Sequence, residues 1–186
     1  MNAFRSCVAA FLTVTAPVTA GAIDFSEVEI AESKRFCAAA DPAPTGVMSN
    51  ARPLKPGHAD YERLRKTLPE PPTNWALKSE SFEAFSNDMV GCGISARRAY
   101  DTGDGEVIFV VQLTPALLHP PFSDALRSAV HKDVGGRHVF KLTEDSFSLR
   151  IGRMIIIFGG SGSEADKLKM LDRIDAKAIE DAGRPR

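Results

Sequence analysis

Gly159-Gly160-Ser161-Gly162-Ser163 is the stretch of this chain whose residue types and spacing come closest to chemistry. Glycine lets a ligand approach the backbone, and a serine hydroxyl can act as a nucleophile or as a helix cap. The run falls between an apolar stretch, Met154 to Phe158, and an amphipathic one that starts near Glu164. Backbone N–H groups at a strand-to-helix junction attract anions. Gly160 to Ala165 even matches the GxGxxA pattern of dinucleotide sites. Position argues against that use, because one helix and a polar tail are all that follow Ala165. No second strand is left to complete a βαβ unit. The Gly-Lys-Ser/Thr of a P-loop is absent, and the last glycine of an esterase GxSxG elbow would fall on Ser163.

Two readings of the loop compete. In one it is a tight turn in which Ser163 caps the following helix and Asp166 completes a capping box. In the other, Gly160, Ser161, Gly162 and Ser163, with Arg150 and Arg153, form a site for a small anion. Glu164 and Asp166 would repel that anion, so the turn is the stronger reading. A catalytic alternative makes Ser161 or Ser163 the nucleophile of a small hydrolase or transferase, with His131 or His138 as base and Asp133 as orienter. Spacing does not require it, since triads are recognised by geometry.

His131, Asp133 and His138 are also weak candidates for a metal site. They repeat no ligand spacing typical of zinc, and a histidine at a helix end is equally explained as a cap. No metal and no cofactor are expected. Arg97, Arg98, Arg137, Arg150 and Arg153 lie on or beside strands and gather into a positive patch only if those strands are neighbours. Otherwise their stems cover apolar surface and their heads are solvated. Trp75, the one tryptophan, reads as core.

Of three cysteines, Cys7 lies in the N-terminal leader described below, which leaves Cys37 and Cys92. Two thiols without a CxxC spacing, in an exported chain, are expected to pair. A bridge over so long a loop contributes roughly 4 kcal/mol in the chain-entropy model.

The elements that position these groups follow from local pattern. Met1 to Arg5 is basic, Ser6 to Thr15 is apolar and short, and Ala20-Gly21-Ala22 offers small residues, the order of a secretory signal. The expectation is cleavage near Ala22 and a soluble periplasmic or secreted product, since a spanning helix needs about 20 apolar residues. Ile23 to Ala40 reads as an extended piece and a helical turn around Glu32 to Arg35. Asp41 to Pro72 holds most of the prolines and excludes long regular elements. One short helix fits there, Ala59 to Leu68. Trp75 to Phe85 has no clean period and is left as strand or irregular.

Gly91 to Tyr100 and Val107 to Thr114 read as a hairpin joined by the Gly/Asp turn 101–106. Ser123 to His131 reads as a helix that ends at Val134-Gly135-Gly136. Val139 to Leu142, Phe147 to Ile151 and Met154 to Phe158 read as strands, the last of them central. Leu168, Leu171, Ile174, Ala178 and Ile179 form the stripe of a final helix. The sequence thus predicts an α+β fold: a mainly antiparallel sheet of about five strands (hairpin, helix, three strands, C-terminal helix), helices on one face, and a Pro-rich wrapping arm. The expected organisation is a leader over 1–22, the arm over 23–72 and a compact α+β domain over 73–186.

Charge is nearly balanced, 23 basic against 24 acidic side chains, which disfavours nucleic acid and anionic lipid as partners. The functional expectation is an exported soluble envelope protein acting as a non-catalytic binding or interaction module. Its partner is an envelope protein or a small anionic ligand.

Overall fold

The computed structural model describes residues 26–40, 49–87, 91–114, 130–134 and 136–185. The leader and the helix expected from Ser123 lie outside these residues, except that Val130–Val134 is described and is a strand. Eight strands form one antiparallel sheet. They are β1 (Ser49–Pro53), β2 (Ala76–Asn87), β3 (Gly91–Asp101), β4 (Glu106–Leu113), β5 (Val130–Val134), β6 (Arg137–Thr143), β7 (Ser146–Ile151) and β8 (Met154–Gly159). Their order is β1-β2-β3-β4-β8-β7-β6-β5. Two four-stranded meanders therefore join along β4 and β8, and the α+β class holds with eight strands in place of about five.

The expected hairpin is β3–β4, closed by a Thr102 N–H bond to the Gly105 carbonyl at 3.0 Å. Met154–Gly159 is central, between β4 and β7. The added strands are those with the weakest apolar signal. β1 reads Ser-Asn-Ala-Arg-Pro. The first half of β2, Ala76 to Ser81, is exposed throughout. β1 pairs only with Glu83 to Asn87, so the outer edge of that half is not covered by β1. A bulge between Leu77 and Ser79, with Lys78 and Glu80 beside it, blunts this edge in the way native sheets do.

Alternation assigns the faces. Ala96, Val111, Ile156 and Leu149 stand side by side on β3, β4, β8 and β7. With Phe82, Ile94, Phe109, Phe158 and Phe147 they form the main core. The Phe109 and Phe158 rings meet edge to face at 5.4 Å, a geometry worth about 0.5–1.5 kcal/mol beyond area burial.

Every described helix adds to this same cluster. Phe36 comes from α1 (Glu27–Ala39), Leu64 from α2 (Ala59–Arg65) and Ile179 from α4 (Ala176–Gly183). Met170 and Leu171 come from a 3-10 turn (Met170–Arg173) that follows α3 (Glu164–Lys169). On the opposite face Phe85, Ala99, Ile108, Val110, Ile155 and Ile157 make a second buried cluster. β4 and β8 are apolar on both faces, which is why their sequences run without alternation.

Two helical readings need correction. α1 is a full helix of 13 residues, opened by a capping box in which Ser26 and Glu29 serve each other's backbone N–H. The C-terminal stripe belongs to three pieces. The Ile174 N–H closes on the Leu171 carbonyl, and the Asp175 side chain accepts from the Ala178 N–H to start α4 anew.

Candidate functional site

The Gly–Ser loop leaves the end of β8 and lies against the β3–β4 turn. The Ser161 hydroxyl accepts a hydrogen bond from the Glu106 N–H at 3.1 Å. The Gly162 N–H donates to the Glu106 carbonyl at 2.9 Å. Gly160 sits at φ +103°, and a Cβ there would collide with the Glu106 carbonyl oxygen. Only glycine tolerates both conditions. At Gly162 a Cβ would lie 2.9 Å from a Val107 methyl and 3.2 Å from the same carbonyl. The loop is a fitted joint between the two meanders.

Ser163 then caps α3, accepting from the Asp166 N–H at 3.1 Å. Its hydroxyl also donates to the Asp166 carboxylate at 2.6 Å. Asp166 thus reaches back to the capping hydroxyl. Lys169 binds the same carboxylate at 2.7 Å. That bond, and next the one from Ser163, holds the Asp166 carboxyl below the usual carboxylate range. Glu106 and Glu164 flank the loop and are matched by Lys78 at 2.8 Å and Lys132 at 3.8 Å.

Arg150 and Arg153 stand elsewhere. They flank the β7–β8 turn, where Ile151 pairs with Met154, whereas the loop leaves the opposite end of β8. Six strand residues at roughly 3.3 Å each put the arginines about 20 Å from the loop. Arg150 donates to the Gly152 carbonyl at 2.7 Å, and Arg153 to the Gly183 carbonyl at 3.0 Å. The other arginines of the conditional patch scatter as well. Arg98 points into the helix-covered side, held by Glu80 and Glu70 and by the Pro69 carbonyl at 2.9 Å. Arg97 stands on the opposite side of β3, and Arg137 donates to the Leu171 carbonyl at 2.7 Å.

His131 lies in β5, so it is not a helix end. Asp133 and His138 face each other across the β5–β6 turn, with Nδ1 and Oδ2 3.3 Å apart and both side chains exposed. Asp133 also accepts from the Gly136 N–H at 3.0 Å, which makes it part of the turn itself. Among the described residues, no three His, Cys, Asp or Glu side chains gather where they could hold a metal ion. No described helix is long and apolar enough to cross a membrane.

Cys37 and Cys92 are joined by a disulfide, which ties the last turn of α1 to the start of β3. The same helix also enters a feature that sequence reasoning missed, a buried cluster of charge. Glu32 on α1 and Arg63 on α2 have side chains only 2% and 3% exposed. Glu32 accepts from Arg153 at 2.7 Å and lies 3.6 Å from Arg63. Arg63 donates to the Ala182 carbonyl, and to that of Arg184 at 2.6 Å. Asp60 lies 3.6 Å from Arg63 and takes Arg35 at 3.1 Å. Guanidinium groups thus satisfy the carbonyls at the end of α4, where the helix dipole is negative, and carboxylates neutralise the guanidinium groups. The only sequence signal was Asp60 and Arg63 at i and i+3, because the remaining members come from distant segments.

A second anchor holds the chain that follows α2. The Tyr100 hydroxyl donates to the Pro69 carbonyl at 2.6 Å. Burial pushes the Tyr100 phenol up to about 12, although Arg98 beside it acts in the opposite sense. Trp75 packs beside Tyr100, ring centres 6.2 Å apart, and joins the rim of the main core.

No family model matches this chain, and neither a characterised protein nor a solved structure matches it.

Proposed function

We propose that this protein is an exported, non-catalytic interaction module whose partner is another protein of the cell envelope. One observation carries the reading: the hydroxyls best placed for chemistry are both engaged in holding the fold. Ser161 accepts from the hairpin backbone, and Ser163 both caps α3 and donates to Asp166. A nucleophilic serine needs a base at its hydroxyl, and the group at Ser163 is a carboxylate that pins a helix terminus.

The Cys37–Cys92 bridge supports export, since such bridges persist in oxidising compartments. A protein partner is favoured over a small anion. Acidic side chains surround the loop, while Arg150 and Arg153 are bonded to carbonyls at the other end of the hairpin.

A serine-reactive fluorophosphonate probe, applied to the purified oxidised protein, tests the reading. The expected result is no labelling of Ser161 or Ser163. Stoichiometric labelling, abolished by Ser161→Ala or Ser163→Ala, would establish the hydrolase in its place.

A further inference from the structure

We infer that the Cys37–Cys92 bridge is a thiol-controlled latch on α1, and that its reduction undocks this helix while the sheet stays folded. The inference rests on how little else holds α1. Of its 13 residues only Glu32 and Phe36 are buried, while Val28 and Ile30 remain 48% and 42% exposed. A helix of this length is marginal on its own in water. One aromatic ring, the Glu32 carboxylate, a partly exposed ion pair from Arg35 to Asp60 and one covalent bond to β3 therefore secure it.

The Glu32 carboxylate ties α1 to the fold without being the sole partner of either arginine. Arg63 and Arg153 hold carbonyls of residues 182–184 as well, so the C-terminal helix keeps its partners when Glu32 leaves. The sheet has a second core on its other face, where Ile108 and Val110 of β4 meet Ile155 and Ile157 of β8, and α1 contributes no residue to it.

Access favours the outer sulfur. Cys37 is exposed, whereas Cys92 is 7% exposed. A thiolate of a dithiol reductant, a small molecule or a protein dithiol, attacks the Cys37 sulfur and forms a mixed disulfide, and Cys92 departs as thiolate. The second thiol of the reductant then attacks the mixed disulfide and releases Cys37. The reductant ends as a disulfide, two electrons pass to this protein, and the two thiols take up two protons.

The test is amide hydrogen exchange on the full folded chain, oxidised and after dithiothreitol under native conditions. Protection of Glu27–Ala39 is expected to fall roughly a hundredfold, the behaviour of a separately opening unit, while β4 and β8 amides change less than about twofold. A second measurement follows alkylation of the reduced protein. Cys92 is expected to react with iodoacetamide within about threefold of the Cys37 rate, because exposure governs thiol reactivity once the helix has left. Unchanged protection of α1, or a Cys92 that stays shielded while Cys37 reacts, overturns the latch. Collapse of protection across β4 and β8 overturns it too, since the bridge would then be a staple for the whole fold.

Discussion

Glu32 on α1 and Arg153 in the β7–β8 turn meet at 2.7 Å across 121 residues of chain. This contact brings the N-terminal helix to the C-terminal end of α4, because Arg153 also donates to the Gly183 carbonyl. Removing one partner of a buried ion pair leaves the other uncompensated, at a cost of about 3–5 kcal/mol. Arg153 keeps some solvent access, so Glu32→Gln is expected to destabilise by roughly 2–4 kcal/mol. A double-mutant cycle with Arg153→Met in urea is expected to show coupling of about 1–3 kcal/mol. Additive single-mutant effects would contradict the contact.

The joint between Gly160 and Glu106 predicts a graded pair of substitutions. Gly160→Ala forces an alanine to positive φ and into a carbonyl oxygen, and is expected to cost more than about 3 kcal/mol. At Gly162 the nearest atom is a side-chain methyl that can shift, so Gly162→Ala is expected to cost roughly 1–2 kcal/mol. Equal midpoints for the two variants in chemical denaturation would show that the joint is not formed as described.

Much of the fold was legible in the sequence where burial writes a pattern. Val107 to Leu113 and Met154 to Phe158 were clear because both sheet faces are buried, and the turn 101–106 because its Gly and Asp chemistry is local. β1 and the outer half of β2 were not, because residues 51–53 and 76–81 face water and these strands carry no apolar period. α1 lacks a stripe for the same reason: it buries one ring and one carboxylate, although its Ser26 and Glu29 capping box was there to be read. Ile174 continued the apolar spacing across a helix break, and only Asp175, which caps α4, marked the boundary. The charge cluster around Glu32 was invisible because tertiary structure alone brings residues 32, 63, 153 and 182 together.

Tyr100 predicts a pH window. Its phenol ionises near 10 in the unfolded chain and at about 12 in the folded one. Ionisation therefore favours the unfolded state first. The stabilisation is fully present below pH 10 and is lost as pH rises from 10 to 12, by roughly 2–3 kcal/mol. Urea midpoints between pH 9 and 12 check this. Tyr100→Phe is expected to flatten that part of the profile while lowering stability at pH 7 through loss of the bond to Pro69. An unchanged slope in the variant would assign the window to another group.

Ser148 predicts a gain. Its hydroxyl is buried and has no hydrogen-bond partner among the described residues, and its strand neighbours are Ile157 and Phe140. Ser148→Ala removes an unmet desolvation penalty and is expected to raise stability by about 1 kcal/mol. A loss of stability would mean that the hydroxyl is satisfied in solution.

Export underlies the proposed function, and the intact mass of the native protein tests it most directly. The predicted result is a chain that starts near Ile23 and lacks the two hydrogens given up when Cys37 and Cys92 join. A chain that still begins at Met1 and carries both thiols free would contradict it.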